Sequence, residues 1–303
     1  MIVRPRPHWL RLLFVWHGSI LPLIAPQLLW TLGFSVVVTV LHGQVLQWKI
    51  PLNFVPFSLI GLTLAIFLGF RNSTSYNRYW EARIFWGALL VECRALVRQS
   101  LTLVDAPDQA PVLARRLIAL VHALRHQLRR TDAMADLARL LPADELARVR
   151  TARYKPAMLL LMAGEWLRDM RQRGAVSAPL VQAMEHPLGQ VGAAIGGCER
   201  IANTPIPFTY SVIIHRTIYT YCILLPFGLV DAIGPMTPVI VAFIAYTFFA
   251  LEALGSEIEE PFGTAANDLA LDTLCWTIEA SLLESLGEPT DQPEPQPRNY
   301  ILS

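Results

Sequence analysis

Apolar residues gather in four long runs, set as two pairs near the two ends of the chain. The first run is Ser19–Leu41, with Pro22 and Pro26 in its opening turns, where a missing amide donor costs least. The second is Asn53–Phe70, the third Phe208–Val230 and the fourth Thr237–Leu254. About 17–25 mostly apolar residues are needed to cross roughly 30 Å of hydrocarbon as a helix, and each run meets that length. Within each pair the connection is short: Gly43–Leu52 in one, the Asp231–Met236 turn with Gly234-Pro235 in the other. Each pair is therefore expected to be an antiparallel helical hairpin.

Between the pairs the pattern changes. Residues 71–207 show apolar positions three and four apart with arginines on the opposite face, the mark of amphipathic helices around a water-exposed core. The run from Pro111 to His126 is one such helix; the runs from Pro142 and from Pro156 to Arg173 repeat the pattern, with proline at the start. Gly174 is placed to stop the last of these, and Ser177–Ala202 reads as a further helix. After the fourth run, Asn267–Leu286 is predicted helical. The proline-rich end from Gly287 suits neither helix nor sheet and is expected to be extended or disordered unless it binds along a surface. No alternating strand pattern and no internal repeat is visible.

Composition agrees with a membrane protein. The chain is 53% apolar and 16% charged, with a mean hydropathy of +0.40, whereas soluble domains carry about 25% charged residues. A net charge of +1 gives no reason to expect nucleic acid as a partner. Four scattered cysteines without a C-x-x-C pair argue against a disulfide framework or structural zinc. The basic N-terminus precedes a run with no small-residue cleavage site, so that run is expected to be retained as a helix. Lys49 is the one basic residue in the two short loops, whereas residues 71–200 carry nineteen, and Arg4, Arg6 and Arg11 precede the first span. The positive-inside rule then puts both termini and the middle block in the cytoplasm. The expected organisation is all-α: a cytoplasmic segment 1–18, a hairpin 19–70, a cytosolic helical domain 71–207, a second hairpin 208–254, a helical segment 255–286 and a proline-rich tail 287–303.

Candidate chemistry centres on the second run. Leu62, Ile66 and Phe70 recur every four residues and stack on one helix face, and Thr74 and Asn77 continue that face as polar positions. Copies of this helix around an axis would make apolar rings opening into a wetter vestibule, and narrow apolar rings gate ions by dewetting. Such a stripe also serves as ordinary packing, and Gly61 and Gly69 on the same helix fit either reading. The following polar and aromatic segment, Arg71 to Arg83, suits a membrane–water boundary better than a phosphate cradle, since it lacks the glycines of a nucleotide loop. His122 and His126 have a spacing that can hold a metal, but no third ligand is apparent. His215 and Arg216 lie inside the third run near its cytoplasmic end, where snorkelling accounts for the arginine as well as function does. Glu257, Glu259 and Glu260 could attract cations or pair with arginines. No nucleophile–base set, phosphate loop or dinucleotide fingerprint is present, so neither an enzyme nor a cofactor is expected.

Four stretches carry a resemblance: His17-Gly-Ser-Ile-Leu-Pro, the segment from Leu68-Gly-Phe-Arg to Trp80-Glu-Ala-Arg, Ile206-Pro-Phe-Thr-Tyr, and Glu260-Pro-Phe-Gly. In this order around four spans they resemble the bestrophin family in its bacterial branch. The resemblance implies a homopentameric channel for monovalent ions in the bacterial inner membrane, surrounded by lipid. It implies that the second helix lines an apolar neck, carried over to Leu62, Ile66 and Phe70. It also implies a cytosolic aperture at an aliphatic residue after a proline, which Pro179-Leu180 matches.

Ion sign is left more open. An apolar neck presents no charge, the Glu257–Glu260 cluster would favour cations if it faced the pore, and the arginine-rich block would favour anions if it did. The expectation taken is a passive, cation-permeable channel, with an anion channel of the same architecture as the alternative. A secondary transporter or a non-conducting scaffold are readings of other classes. Animal bestrophins clasp Ca²⁺ with a run of acidic residues directly after Pro-Phe-Gly; here the stretch Thr264–Asp272 that follows holds only Asp268 and Asp272, too few for a hard cation that wants six to eight oxygens. Open probability is therefore expected to be the same with and without micromolar Ca²⁺, and a steep rise on adding Ca²⁺ would refute this.

Overall fold

The computed structural model describes all residues except 5–7, 17, 46, 47, 50–53, 291 and 303, and leaves out the side chains at 45, 48, 49 and 54. His17, which heads the first motif, and Asn53, the expected start of the second span, lie outside the described residues. The described residues are almost entirely helical, with one two-residue ladder in which Gln44–Val45 pairs antiparallel with Trp48–Lys49. The helices are α1 (Trp9–Leu12), α2 (Leu21–Val40), α3 (Phe54–Thr102), α4 (Ala110–Arg129), α5 (Met134–Leu140) and α6 (Ala143–Thr151). They continue with α7 (Lys155–Gln172), α8 (Ala178–Asn203), α9 (Phe208–Ile233), α10 (Thr237–Glu259) and α11 (Leu271–Leu286). The chain divides into two compact units, Arg4–Arg78 with Pro205–Glu260, and Met1–Val3 with Tyr79–Thr204 and Pro261–Ser303.

The first unit holds the four apolar helices: α2, the first half of α3, α9 and α10. The stretch Phe208–Glu259 is long and apolar enough to cross a membrane and folds back at a 3₁₀ turn, Gly234–Met236. Gly234 sits at φ +54°, a conformation that side chains avoid. Thr237 Oγ1 donates to Gly234 O at 2.7 Å, which closes the turn. Ile24 of α2, Phe57, Leu64 and Leu68 of α3, and the inner faces of α9 and α10 share one buried cluster. A Cβ on Gly61 would meet Tyr221 Oη at 2.8 Å, so this glycine lets the tyrosine pack directly on α3. Large apolar side chains such as Trp30, Val37, Ile213 and Phe243 point outward. In a soluble domain that surface would aggregate; in lipid it is at home. The chain is a membrane protein.

The second unit is built around α4, which packs against α5, α7, α8 and α11. The rest of α3 contributes Trp86, Leu89, Cys93, Leu96 and Val97 to the same core. Gly174, at φ +74°, follows the end of α7. The helix expected from Asn267 begins only at Leu271. Asp268 Oδ2 instead accepts the Ala265 amide at 2.7 Å and the Leu269 amide donates to Pro261 O, so these residues close a loop before the helix. The proline-rich tail is extended and lies along its own chain: Trp276 Nε1 donates to Gln292 O at 2.9 Å, Arg115 pairs with Glu288 at 2.8 Å, and the Val3 amide donates to Tyr300 O.

Among the described residues, buried charged side chains of this unit sit beside partners of opposite charge or main-chain donors. His122 Nε2 lies 2.7 Å from Glu279 Oε2, and Arg139 grips the same carboxylate with both terminal nitrogens, at 2.5 and 2.9 Å. Asp136 Oδ2 stands 3.5 Å from His122 Nδ1, 2.9 Å from His126 Nε2 and 2.5 Å from Arg125. Asp272 takes Arg125 and Arg129. Burial alone would lower the His122 pKa, but its bonds to Asp136 and Glu279 outweigh that and raise it. Burial alone would raise Glu279, yet the bonds from His122 and Arg139 hold it down at about 2. Glu279 therefore contributes stability above its ordinary 4.5, lost as pH falls toward 2. His122 contributes fully below its ordinary 6.5, and that contribution is lost as pH rises through its raised folded value. The melting temperature should thus be highest between pH 4.5 and 6.5, and His122→Gln should flatten the decline above that window. Glu279→Gln, which removes the buried carboxylate shared by buried His122 and the more exposed Arg139, should cost about 3 kcal/mol. A melting temperature independent of pH above neutrality would contradict the assignment.

Candidate pore and its lining

Phe54–Thr102 is one uninterrupted helix of 49 residues, so the apolar stripe and the polar-aromatic segment after it share a single helical phase. Leu64 and Leu68 are 3% and 0% exposed, locked against α9 and α10. Leu62, Ile66 and Phe70 differ from them by two positions, about 200° around the axis at about 100° per residue. They are 60%, 50% and 65% exposed. The stripe is therefore not part of the chain's own core. Thr74 and Asn77 are exposed as well, and Thr74 Oγ1 donates back to Phe70 O at 3.0 Å. On the open side, a Cβ on Gly69 would meet nothing within 4 Å, unlike one on Gly61.

The other expected positions fall as follows. Leu180, on the first turn of α8, is half-buried against the core of the second unit. The two histidines weighed as metal ligands are both engaged, His122 with Glu279 and His126 with Asp136 and Thr131. Among the described residues no group of three or more His, Cys, Asp or Glu side chains is arranged to hold a metal. His215 Nδ1 lies 3.1 Å from Glu252 Oε1. Of the acidic cluster on α10, Glu259 pairs with Arg71 at 3.3 Å.

The sequence allows this acidic cluster to pair with arginines without singling out Arg71. Arg71 was one of several juxtamembrane cations, and its burial becomes visible only once α10 is packed beside α3. The signal available was its position: in helical phase it follows Leu64 and Leu68, not Phe70.

The family model described as bacterial/fungal bestrophin protein matches residues 1–284. The chain belongs to the bestrophin family. A bacterial bestrophin homologue from Klebsiella pneumoniae, solved as a crystal structure, is 42% identical, with a TM-score of 0.86 over 88% of this chain and 100% of that one. A Ralstonia nicotianae relative, named voltage-dependent anion channel-forming protein RSc3414, is 49% identical over 309 residues and the whole of both chains. The Escherichia coli K12 protein YneE bears the same description, at 45% identity over 290 residues and 95% of each chain.

The bestrophin assignment and the exposed stripe together generate a mutational contrast. Replacing Leu62, Ile66 and Phe70 with alanine should raise unitary conductance, by widening and wetting a constriction, with little loss of protomer stability. Leu68→Ala should instead cost about 2–5 kcal/mol as a buried truncation. Unchanged conductance in the triple variant would return the stripe to a lipid or packing surface.

Proposed function

We propose that this bestrophin is the protomer of a passive homopentameric ion channel of the bacterial inner membrane, with both termini cytoplasmic. Five copies of α3 surround the pore, Leu62, Ile66 and Phe70 form its neck, and Thr74 and Asn77 line the vestibule beneath. The observation that carries the reading is the exposure of the stripe on the face of α3 opposite Leu64 and Leu68. A protomer that seals one side of this helix and leaves a regular apolar ladder on the other is incomplete until copies of itself, or lipid, meet that ladder. Leu180 is assigned to the cytosolic aperture. The function is that of a channel and not of an enzyme.

For the permeant ion we propose an anion. The expectation of cations gives way here, because the relatives from Ralstonia nicotianae and Escherichia coli are both named as anion channel-forming. The acidic cluster that favoured cations is partly spent, with Glu259 neutralised by Arg71. Conduction is independent of Ca²⁺: Asp272 is taken by Arg125 and Arg129, and Asp268 accepts a main-chain amide.

Planar-bilayer recording of the purified protein under a KCl gradient tests this directly. Discrete currents reversing near the chloride equilibrium potential are expected; reversal near the potassium potential would replace the anion by a cation, and silence from inserted protein would remove the channel. Native mass measurement should give five copies, and a stable monomer or dimer would exclude the pore geometry.

A further inference from the structure

Resting on the pore reading above, we infer that Arg71 is a positioning residue that sets the rotation of the neck helix by tying it to α10. Arg71 directly follows Phe70, about 100° further around the helix. Phe70 points outward while Arg71 is 3% exposed. An arginine at the end of a membrane span ordinarily reaches for water along its flexible stem. This one turns inward, where Nη2 donates to Ser256 Oγ at 2.9 Å and to Glu259 Oε2 at 3.3 Å. Both acceptors belong to the last turns of α10.

Two neighbouring contacts join the same stretches of helix. Arg78 Nε donates to the main-chain oxygen of Glu259 at 3.1 Å. Asn72 presses its side chain on Gly255, where an added Cβ would collide with Asn72 Oδ1. Three residues of α3 within two turns are thus fixed on one short segment of α10, in both height and rotation. Because α3 has no break between Leu62 and Arg78, whatever fixes Arg71 fixes the direction in which Phe70, Ile66 and Leu62 point.

The joint is not fully bonded. Arg71 Nε and Nη1, Asn72 Oδ1 and Ser75 Oγ are buried with no partner among the described residues. A buried ion pair adds little net stability against an apolar replacement, and its best-attested use is to specify one register over others. A charged pair one residue below the last ring of the neck is placed to select one rotation of the pore helix over another.

The test is single-channel recording of intact pentamers carrying Arg71→Met, Arg71→Lys or Glu259→Gln, with the neck residues unchanged. Arg71→Met should shift the open-to-closed ratio by roughly tenfold, the effect of one charge-assisted hydrogen bond on a two-state equilibrium, and leave the reversal potential where it is. Arg71→Lys, which keeps the charge and reaches Glu259 but lacks the planar fork, should fall between Met and the parent. Arg71→Met combined with Glu259→Gln should be no worse than Arg71→Met alone. A parental open ratio in pentameric Arg71→Met overturns the inference. So does a displaced reversal potential at unchanged open ratio, because the charge would then act on the ion and not on the helix. If Arg71→Met does not assemble, Ser256→Ala and Glu259→Gln probe the same joint from α10, and parental gating in both overturns it equally. Absence of current in the unmodified protein would strike the channel reading itself, before Arg71 is in question.

Discussion

The packing of Leu64 and Leu68 against α9 and α10 decides what the rest of α3 is able to do. A helix has one angular phase, so burying those two leucines leaves no choice about where residues two positions away point. Leu62, Ile66 and Phe70 are turned out together, and Arg71 is turned in with the leucines, because its position continues their phase. Polar and apolar residues at the foot of the span therefore behave contrary to expectation: the phenylalanine is exposed and the arginine is buried. Buried apolar contacts of this kind are the cheapest way to hold a helix still in a membrane, where no water is displaced from between helices and close shape fit supplies most of the attraction. Gly61 under Tyr221 and Gly228 under Phe57 serve that fit, each leaving room for a ring that a methyl group would strike at 2.8 Å.

Much of this was legible in the chain itself. Span lengths, the reversal at Gly234-Pro235 and the amphipathic helices of the middle block follow from periodicity and from two residue types with restricted backbones. The stripe at Leu62, Ile66 and Phe70 was visible as a pattern, but its orientation was not, since an i, i+4, i+8 series looks the same whether it faces a core, lipid or a pore. The burial of Leu64 and Leu68 shows that the stripe faces away from the protomer's own core. The start of α11 was misread for a different reason: Asn267 and Asp268 fit a helical frame locally, and a side-chain bond from Asp268 to the Ala265 amide overrides it. The tail was undecidable because proline-rich sequence fixes an extended backbone without naming a partner. That partner is the chain's own helical unit, through Trp276 and Arg115.

The two units solve the burial of charge in different ways. In the helical unit, His122, Glu279, Arg139, Asp136 and Asp272 with its arginines form a network in which most lone pairs find donors. Such a network is rigid and specific, and its members guard one another's ionisation. Histidine spacing that reads as a metal site in sequence is accounted for by carboxylates brought in from α5 and α11. In the membrane unit the charge on Arg71 is met by one hydroxyl and one carboxylate of α10, Ser256 and Glu259. In the proposed pore the same side chain belongs both to the packing of α3 on α10 and to the aim of Phe70 directly before it.

The four cysteines bear on how this molecule can be interrogated. All are free and buried, and burial pushes the Cys93 and Cys198 thiols up to about 12. Thiolate, not thiol, is the form that reacts with alkylating and thiosulfonate reagents, so the native chain is close to silent toward them. A single cysteine placed at an exposed position of α3 would then be the dominant reactive sulfur in the folded protein. The wild-type background already serves for site-by-site accessibility mapping, without first removing its own cysteines and disturbing the cores in which Cys93, Cys198, Cys222 and Cys275 are packed.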